Sequence, residues 1–289
     1  MELSELLAAE EDTLIEFCST APKAGRMIGG HVGGDHVGKL SDNTAVKYGL
    51  GVSYSEAAAQ SFAYEGLHPD IVHVPKVHRF FISSQSGDPV GYLFMEYISG
   101  RTPTDDDLNL DTENGVTPRI AIIITLLGTL RGSTPGPPDG GCPRGYIFGD
   151  DGANAPFSSI EDMNAYMNRR LEYRKDTIDL STHPLVFCHG DICRRNIILE
   201  DDGSICLVDW GYARFYPRFC ELLALSFVTP DNQSPAEVEA YHESLKKAFS
   251  SSRPPTIEAT NLPTADDAAA KPRSDGKEEP NTQELADDQ

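Results

Sequence analysis

Three polar residues in the second half of the chain have the types and the spacing to hold a metal ion and to accept a proton. Asp191 is followed after four residues by Asn196, and Asp209 ends a later apolar run. Amide and carboxylate oxygens are the hard ligands that Mg²⁺ prefers, with substrate phosphates and water completing its shell. A nearby carboxylate can take the proton of an attacking hydroxyl. The pattern predicts a magnesium site at Asn196 and Asp209, with Asp191 as a general base.

A short hairpin is predicted to carry the two metal ligands. Two apolar, strand-like runs, 196–200 and 205–209, flank the turn residues 201–204, which are rich in Asp and Gly. If the runs are paired end to end around this turn, Asn196 lies directly opposite Asp209. Opposite partners have Cβ atoms about 5 Å apart, close enough to share one cation. Each of these residue types is also common in turns, so the prediction depends on the combined pattern.

The spacing is that of a phosphoryl-transfer motif. Protein kinases use H-R-D, four residues and N, followed by D-F-G, to orient a hydroxyl and hold magnesium ions. Here the corresponding strings are His189-Gly190-Asp191, Asn196 and Asp209-Trp210-Gly211. At these residues the chain resembles the aminoglycoside phosphotransferase and choline kinase-like family of the protein kinase-like superfamily, whose signature is H-G-D, four residues and N.

The resemblance implies a fold and a set of roles. The fold is α+β, a bilobal protein kinase-like fold with a small antiparallel-sheet N-lobe and a mainly helical C-lobe. The implied cofactors are ATP and Mg²⁺, with the metal at Asn196 and Asp209. Asp191 and His189 are the implied catalytic residues, Asp191 as the base and His189 in shaping its loop. The triplet Cys193-Arg194-Arg195 differs from the alanine-proline-arginine that is usual in the family, and Arg195 either touches the charged site or has a surface role.

Upstream, residues 45–49 are predicted to form a strand with Lys47 at its centre. In kinases a lysine on the third strand binds the α- and β-phosphates and pairs with a glutamate on the following helix. Glu56, near the start of a predicted helix, is the candidate partner. Ser53 and Glu56 also match a capping box, in which the glutamate serves the helix N-terminus. Glu56 is therefore the partner of Lys47, a cap, or both.

A further strand is predicted over residues 90–98. In the kinase-like order of elements it leads to the hinge between the lobes, where backbone groups hydrogen-bond adenine. The resemblance therefore implies that Glu96, Tyr97 and Ile98 belong to the nucleotide site. A buried edge of sheet would have the same composition, so this assignment depends on the order of elements along the chain.

Two other kinds of site are disfavoured by the sequence. The glycine-rich stretch 25–38 either covers nucleotide phosphates or is a flexible connection, and it includes most of a P-loop match at 33–39. Leu40 stands where a P-loop needs a magnesium-binding hydroxyl, which disfavours that class. A zinc site is also disfavoured, because its first cysteine spacing is at the edge of the usual range. Its candidate ligands are Cys188, His189, Cys193 and Cys206.

The composition limits which partners and which cellular compartment are expected for this chain. The chain has 289 residues and a formal net charge of −21, which argues against nucleic acid and anionic membranes and is compatible with a cationic small-molecule acceptor. No apolar run approaches the roughly 18–20 residues of a membrane span. The acidic start lacks the features of a signal peptide. The six cysteines are therefore expected to be reduced thiols in a cytoplasmic protein.

Three regions are predicted along the chain. Residues 1–98 comprise an N-terminal helix over 3–18 and the nucleotide-binding small lobe, 99–249 a helical large lobe with the catalytic loop and metal hairpin, and 250–289 a disordered acidic tail. Large-lobe helices are predicted over 117–131, 159–173, 219–229 and 234–249. The stretch between Asp209 and the tail is shorter than is usual in the family, where helices in this region help to bind the acceptor. The sequence therefore does not indicate which residues bind the acceptor.

The leading prediction is an ATP- and Mg²⁺-dependent phosphotransferase that moves the γ-phosphate to a hydroxyl of a small molecule, with Asp191 as catalytic base. The alternative is a nucleotide-binding pseudokinase or scaffold without turnover. Protein kinase activity is less favoured, because nothing between Asp209 and Leu222 resembles an activation segment. The sequence identifies neither the acceptor nor the oligomeric state.

Overall fold

The computed structural model describes residues 3–30, 34–85, 87–108, 115–149, 152–227, 242–243, 245–246 and 250. Most of the helix predicted over 234–249, and all of the predicted tail except residue 250, lie outside them. The helices are α1 (Leu3–Ala8), α2 (Glu11–Thr20), α3 (Tyr54–Gly66), α4 (Val116–Leu127), α5 (Ile160–Leu171) and α6 (Phe219–Leu225). The strands are β1 (Met27–Gly30), β2 (His36–Lys39), β3 (Thr44–Gly49), β4 (Val77–Ser83), β5 (Val90–Glu96), β6 (Leu185–Cys188), β7 (Ile197–Leu199), β8 (Ile205–Leu207) and β9 (Arg214–Pro217).

The N-terminal part is built around a five-stranded antiparallel sheet with the strand order β1-β2-β3-β5-β4. β3 is central, and Lys47 is paired with Val37 on one side and Leu93 on the other. α3 follows β3 and begins after Ser53, whose hydroxyl accepts a hydrogen bond from the backbone N–H of Glu56. The sheet order and this cap together bring Lys47 and Glu56 onto adjoining elements.

The rest of the described chain is mainly helical and packs around α4. This helix is apolar on most of its surface, as expected for a central buried helix. Four of its isoleucine and leucine residues are at most 2% exposed, namely Ile120, Ile123, Ile124 and Leu127. Trp210 is fully buried in the same core, stacks on Phe187, and donates from Nε1 to the Leu207 carbonyl at 3.1 Å. The segment that ends the β7–β8 hairpin is therefore anchored in the core.

The predicted α+β class is confirmed, with local differences. The helix predicted over 3–18 is two helices, because Glu10 has an extended backbone with ψ of 148° and interrupts the helical hydrogen bonds. β4 comprises residues 77–83, and the residues 72–76 before it form no strand beyond an isolated bridge between His73 and Cys206. No helix within the described ranges is long and apolar enough to cross a membrane. The division of the chain at residues 98 and 249 stays a prediction.

The predicted hairpin is present as β7–β8, but the predicted register is wrong. Asn196 lies opposite Val208, whose backbone N–H donates to the Asn196 carbonyl at 3.0 Å, and not opposite Asp209. The reason is the turn, since Gly203 adopts a φ of 85° and closes a loop one residue shorter than predicted. Asp209 then leaves the strand with a φ of 65°, which is uncommon for a residue other than glycine.

Candidate active site

Lys47, on β3, contacts one carboxylate from α3 and another from the segment after β8. Lys47 Nζ lies 2.7 Å from Glu56 Oε1 and 2.9 Å from Asp209 Oδ1. The ion pair predicted between Lys47 and Glu56 is therefore present. Ser53 caps α3 by accepting a hydrogen bond from the backbone N–H of Glu56, while the Glu56 side chain pairs with Lys47. The contact with Asp209 was not predicted, and it depends on the left-handed backbone at that residue.

Burial and charge act against each other in this cluster. Glu56 is 2% exposed, and burial raises its pKa to about 7 while Lys47 acts to lower it. Desolvation raises the pKa of Asp209, but the charge and hydrogen bond of Lys47 outweigh it and the net shift is downward. Burial lowers the pKa of Lys47, and the two carboxylates more than reverse this. At neutral pH the site therefore holds an ammonium beside an ionised Asp209.

The backbone before Asp191 is held by a glycine and a buried acid. Gly190 has a φ of 78°, and a Cβ there would lie 2.7 Å from the Tyr212 carbonyl oxygen, so the position requires glycine. The carboxylate of Glu221, on α6, accepts hydrogen bonds from the backbone N–H groups of His189 and Gly190 at 2.5 and 3.1 Å. Glu221 was not predicted, although a single acid inside the apolar run 219–225 was an available signal.

Replacing Glu221 by glutamine is expected to destabilise the protein by about 1–3 kcal/mol, because one oxygen that accepts from the loop becomes an NH₂ group facing the same donors. Burial raises the pKa of Glu221 to about 7, against the opposing effect of the two backbone donors. The wild type and the variant should therefore be compared above neutral pH, where the carboxylate is ionised. Urea unfolding would measure the difference. Glu16→Gln, at an exposed position of α2, is the matched control, and equal midpoints for the two variants would contradict the anchoring role.

His189 supports the loop from the inside. Its side chain is fully buried, and burial lowers its pKa, so the ring is neutral. In the tautomer that satisfies its neighbours, Nε2 donates to the Val208 carbonyl at 3.2 Å and Nδ1 accepts from the Asp191 backbone N–H at 3.3 Å. His189 therefore connects the loop to the hairpin. Like Asp191, it is absent from the lining of the adjoining cavity.

The carboxylate of Asp191 is surrounded by hydrogen-bond donors. Tyr146 Oη donates to Oδ1 at 3.0 Å, and Asn196 Nδ2 donates to Oδ2 at 2.9 Å. Arg195 Nη2 lies 3.0 Å from Oδ2 and 3.2 Å from Oδ1. Of the two interpretations left open for Arg195, the structure therefore supports contact with the charged site. Tyr146 was not predicted, because nothing in its local sequence distinguishes it.

Asn196 and Asp209 line one cavity and have the donor atoms for Mg²⁺. Asn196 uses Nδ2 to donate to Asp191, which leaves its amide oxygen for another partner. Asp209 uses Oδ1 for Lys47 and retains Oδ2. One amide and one carboxylate oxygen fit the ion, which takes its remaining ligands from phosphates and water. Within the described part of the chain there is no metal-binding group of three or more His, Cys, Asp or Glu.

The cavity has a volume of about 490 Å³, in the range of small-molecule sites, roughly 300–1,000 Å³. One part of its wall is apolar and is formed by Val37, Ala45, Pro75, Met95 and Ile198. Another part is charged or polar and is formed by Lys47, Glu56, Arg195, Asn196 and Asp209. The three residues assigned to the hinge, Glu96, Tyr97 and Ile98, also line it. Seven predicted site residues are thus brought to a single cleft, while Asp191 and His189 lie outside its lining.

A histidine that was not predicted connects the end of β5 to the β7–β8 hairpin. His73 Nδ1 lies 2.9 Å from Glu200 Oε1, and Nε2 lies 3.3 Å from Glu96 Oε2. Only the protonated ring donates from both nitrogens. Burial lowers the pKa of His73, but the hydrogen bonds and charges of Glu200 and Glu96 raise it by more, so the net shift is upward. When it is protonated, the ring bridges Glu96 and the hairpin.

Replacing His73 by glutamine is expected to remove a pH-dependent part of the stability. Because the folded-state pKa is raised, the bridge stabilises the fold fully below the unfolded pKa of about 6.5 and is lost as pH rises through the folded-state value. The melting temperature of the wild type should exceed that of His73→Gln at about pH 6, and the gap should close towards about pH 9. A gap that is constant or grows with pH would contradict the bridge.

Comparisons with known proteins bear on the family and the fold of the chain. The phosphotransferase enzyme family matches residues 55–254. An amicoumacin kinase in complex with AMP-PNP and Ca²⁺ aligns at 12% identity with a TM-score of 0.51, over 86% of this chain and 79% of that one. An aminoglycoside phosphotransferase in a ternary complex with streptomycin and ATP aligns at 13% identity and a TM-score of 0.47, over 84% and 83%. A thermostable mutant of an aminoglycoside phosphotransferase in its apo form aligns at 13% and 0.49, over 78% of each chain. None of the curated proteins matches the chain.

The alignment with the amicoumacin kinase shows that the fold is protein kinase-like, with an antiparallel sheet followed by a mainly helical part. At this level of identity the structural similarity shows the fold alone. The family match is independent of it and covers most of the chain, including the whole segment from His189 to Asp209 on which the resemblance was based. The chain therefore belongs to the phosphotransferase enzyme family.

Proposed function

We propose that this protein is an ATP- and Mg²⁺-dependent phosphotransferase that moves the γ-phosphate of ATP to a hydroxyl group of a small molecule. The observation that carries the proposal is the convergence on one cleft of Lys47, Asn196 and Asp209, which come from separate segments. Asp191 lies next to this cleft and is hydrogen-bonded to Asn196 at 2.9 Å. A donor site and a general base are therefore adjacent, as phosphoryl transfer requires.

The donor side of the cleft suits ATP. The apolar wall and the backbone at Glu96, Tyr97 and Ile98 would receive the adenine ring, and Lys47 would bind the phosphates. Lys47 is prepared for that role, because Glu56 and Asp209 hold its ammonium group at 2.7 and 2.9 Å. The amicoumacin kinase of the same fold was solved with AMP-PNP, which supports a nucleoside triphosphate as donor.

Asn196 and Asp209 would hold the magnesium ion. Bound there, Mg²⁺ would neutralise charge on the phosphate oxygens. The chain itself supplies the rest of the chemistry by positioning and electrostatics. Asp191 would accept the proton of the acceptor hydroxyl, and His189 and Glu221 would keep the Asp191 loop in place. Arg195, at 3.0 Å from Asp191, adds positive charge where negative charge builds up.

The acceptor is proposed to be a small molecule and not a nucleic acid or a membrane lipid. The formal net charge of −21 repels polyanions and favours cationic compounds in the cleft. A small-molecule acceptor agrees with the family as a whole, and the cytoplasm, where ATP is available, is the proposed compartment. The oligomeric state is not part of the proposal.

The test is a screen for ADP formation with Mg²⁺ and ATP against a library of hydroxylated metabolites, including amino sugars and amino alcohols. We expect ADP to form with a restricted set of acceptors and each product to gain one phosphoryl group by mass spectrometry. Removal of Mg²⁺ by chelation should abolish turnover. ATP binding without ADP formation across the whole library would favour the pseudokinase alternative and contradict the proposed function.

A further inference from the structure

The general base is already hydrogen-bonded to a hydroxyl group of the chain itself. Tyr146 Oη donates to Asp191 Oδ1 at 3.0 Å, in the geometry that a general base needs with the hydroxyl it deprotonates, about 2.6–3.2 Å. An external acceptor would have to place its own hydroxyl within the same distance of the same carboxylate. The Tyr146 hydroxyl therefore has the position and the chemistry of an acceptor.

The ring of Tyr146 is held by neighbouring aromatic side chains. Tyr212 contacts it edge-on at a centroid distance of 5.4 Å, and Phe227 stacks on it at 6.1 Å. Aromatic contacts of this kind restrict the two side-chain torsions of a tyrosine. The hydroxyl is thus presented to Asp191 by a supported side chain, and its short approach is not a chance contact of a free surface residue.

The surroundings of the hydroxyl also suit phosphoryl transfer. Burial and the charge of Asp191 raise the pKa of Tyr146, so the phenol is protonated and needs a base. Arg195 interacts with both Tyr146 and Asp191 and lines the cleft together with Asn196. Its guanidinium would stabilise negative charge on a phosphoryl group that reaches the phenol from the cleft.

We infer that Tyr146 is an internal phosphoryl acceptor, so that the enzyme phosphorylates itself at this residue when no external acceptor is bound. A bond forms between Tyr146 Oη and the γ-phosphorus of ATP, while the bond from that phosphorus to the β–γ bridging oxygen breaks and ADP leaves. The phenol proton passes to Asp191. The inference rests on the proposed function, because it uses the same nucleotide site and the same base.

The experiment is incubation of the full chain with Mg²⁺ and ATP in the absence of any acceptor, followed by intact-mass measurement and peptide mapping. We expect one phosphoryl group on Tyr146. Because the base and the hydroxyl belong to the same molecule, the rate per molecule should not change with protein concentration. Tyr146→Phe should lose the modification. Tyr173→Phe, which alters a tyrosine that is 78% exposed, should retain it.

The outcomes separate this inference from the proposed function. ADP formation with a library acceptor, without phosphate on Tyr146, would overturn the inference and leave the function standing. Phosphate on Tyr173 or elsewhere, at a rate that rises with protein concentration, would also overturn it. Failure to transfer phosphate to any acceptor or to the chain would overturn both. If Tyr146→Phe does not fold, mapping of the wild-type peptide decides alone.

Discussion

Asp191→Asn is expected to lower phosphoryl transfer to an alcohol acceptor by about 10³-fold, the typical contribution of a positioned general base. An amide cannot take the hydroxyl proton, so the chemical step is lost even if the donor is bound correctly. ATP binding should persist, because Asp191 is absent from the lining of the proposed nucleotide cleft. Steady-state assays of ADP formation and calorimetric titration with ATP would measure the two properties separately.

The control for this variant must separate chemistry from folding. Asp191 accepts hydrogen bonds from Tyr146, Arg195 and Asn196, so the amide also places an NH₂ group against donors and some loss of melting temperature is expected. Asp201→Asn makes the same change in the exposed hairpin turn and should leave turnover unchanged. Wild-type turnover by a folded Asp191→Asn enzyme would reject Asp191 as the base.

Lys47→Met is expected to weaken both activity and stability. Loss of the ammonium group removes a preorganised positive charge from the phosphate site, which should lower kcat/KM for ATP on the order of 10²–10³-fold. It also leaves the carboxylates of Glu56 and Asp209 without the cation that pairs with them, and Glu56 is only 2% exposed. Removing one partner of a buried ion pair destabilises by about 3–5 kcal/mol. Activity assays well below the melting temperature and urea unfolding would measure the two effects.

The stability loss of Lys47→Met should depend on pH in a defined direction. Burial already raises the pKa of Glu56 to about 7 in the presence of Lys47, and without the lysine it rises further. Protonation therefore relieves the unpaired charge at low pH, and the loss should be smaller at about pH 6 than at about pH 8.5. A loss that is equal at both values would contradict a buried, ionised Glu56 as its source.

Two further variants complete this test. Lys47→Met combined with Glu56→Gln should regain part of the lost stability, since no unpaired carboxylate remains at position 56, but none of the activity. Lys23→Met, at an exposed position after α2, should affect neither property. Recovery of activity in the double variant would reject the role of Lys47 at the phosphates.

Much of the local structure could be predicted from the sequence. α3, with its Ser53 cap, and the buried helix α4 follow from capping residues and apolar composition, which act over a few neighbouring positions. The partner of Lys47 could be predicted because Glu56 is close in the chain and the motif order suggests the pair. The register of β7–β8 could not, because a single glycine with positive φ changes the length of the loop and shifts every pair by one residue.

The residues that support the site could not be predicted from the sequence. Tyr146, Glu221 and His73 are ordinary members of their local sequences, and each becomes significant only through a contact made far along the chain. Tyr146 meets Asp191 across 45 positions, and His73 meets Glu200 across 127. No periodicity or spacing rule reaches that far, since such contacts depend on how distant segments of the chain pack together.

The sequence by itself determined the chemistry proposed for the donor side of this protein. Carboxylate, amide and ammonium groups at motif spacing limit what the chain can hold, because the type of ligand atom belongs to the residue and not to the fold. Only the tertiary structure decided how those groups meet. The Lys47–Asp209 contact spans 162 positions and exists because Asp209 turns out of its strand in a left-handed conformation. The tertiary structure also places the Tyr146 hydroxyl within hydrogen-bond distance of Asp191, because only the packing of the large lobe brings these two residues together.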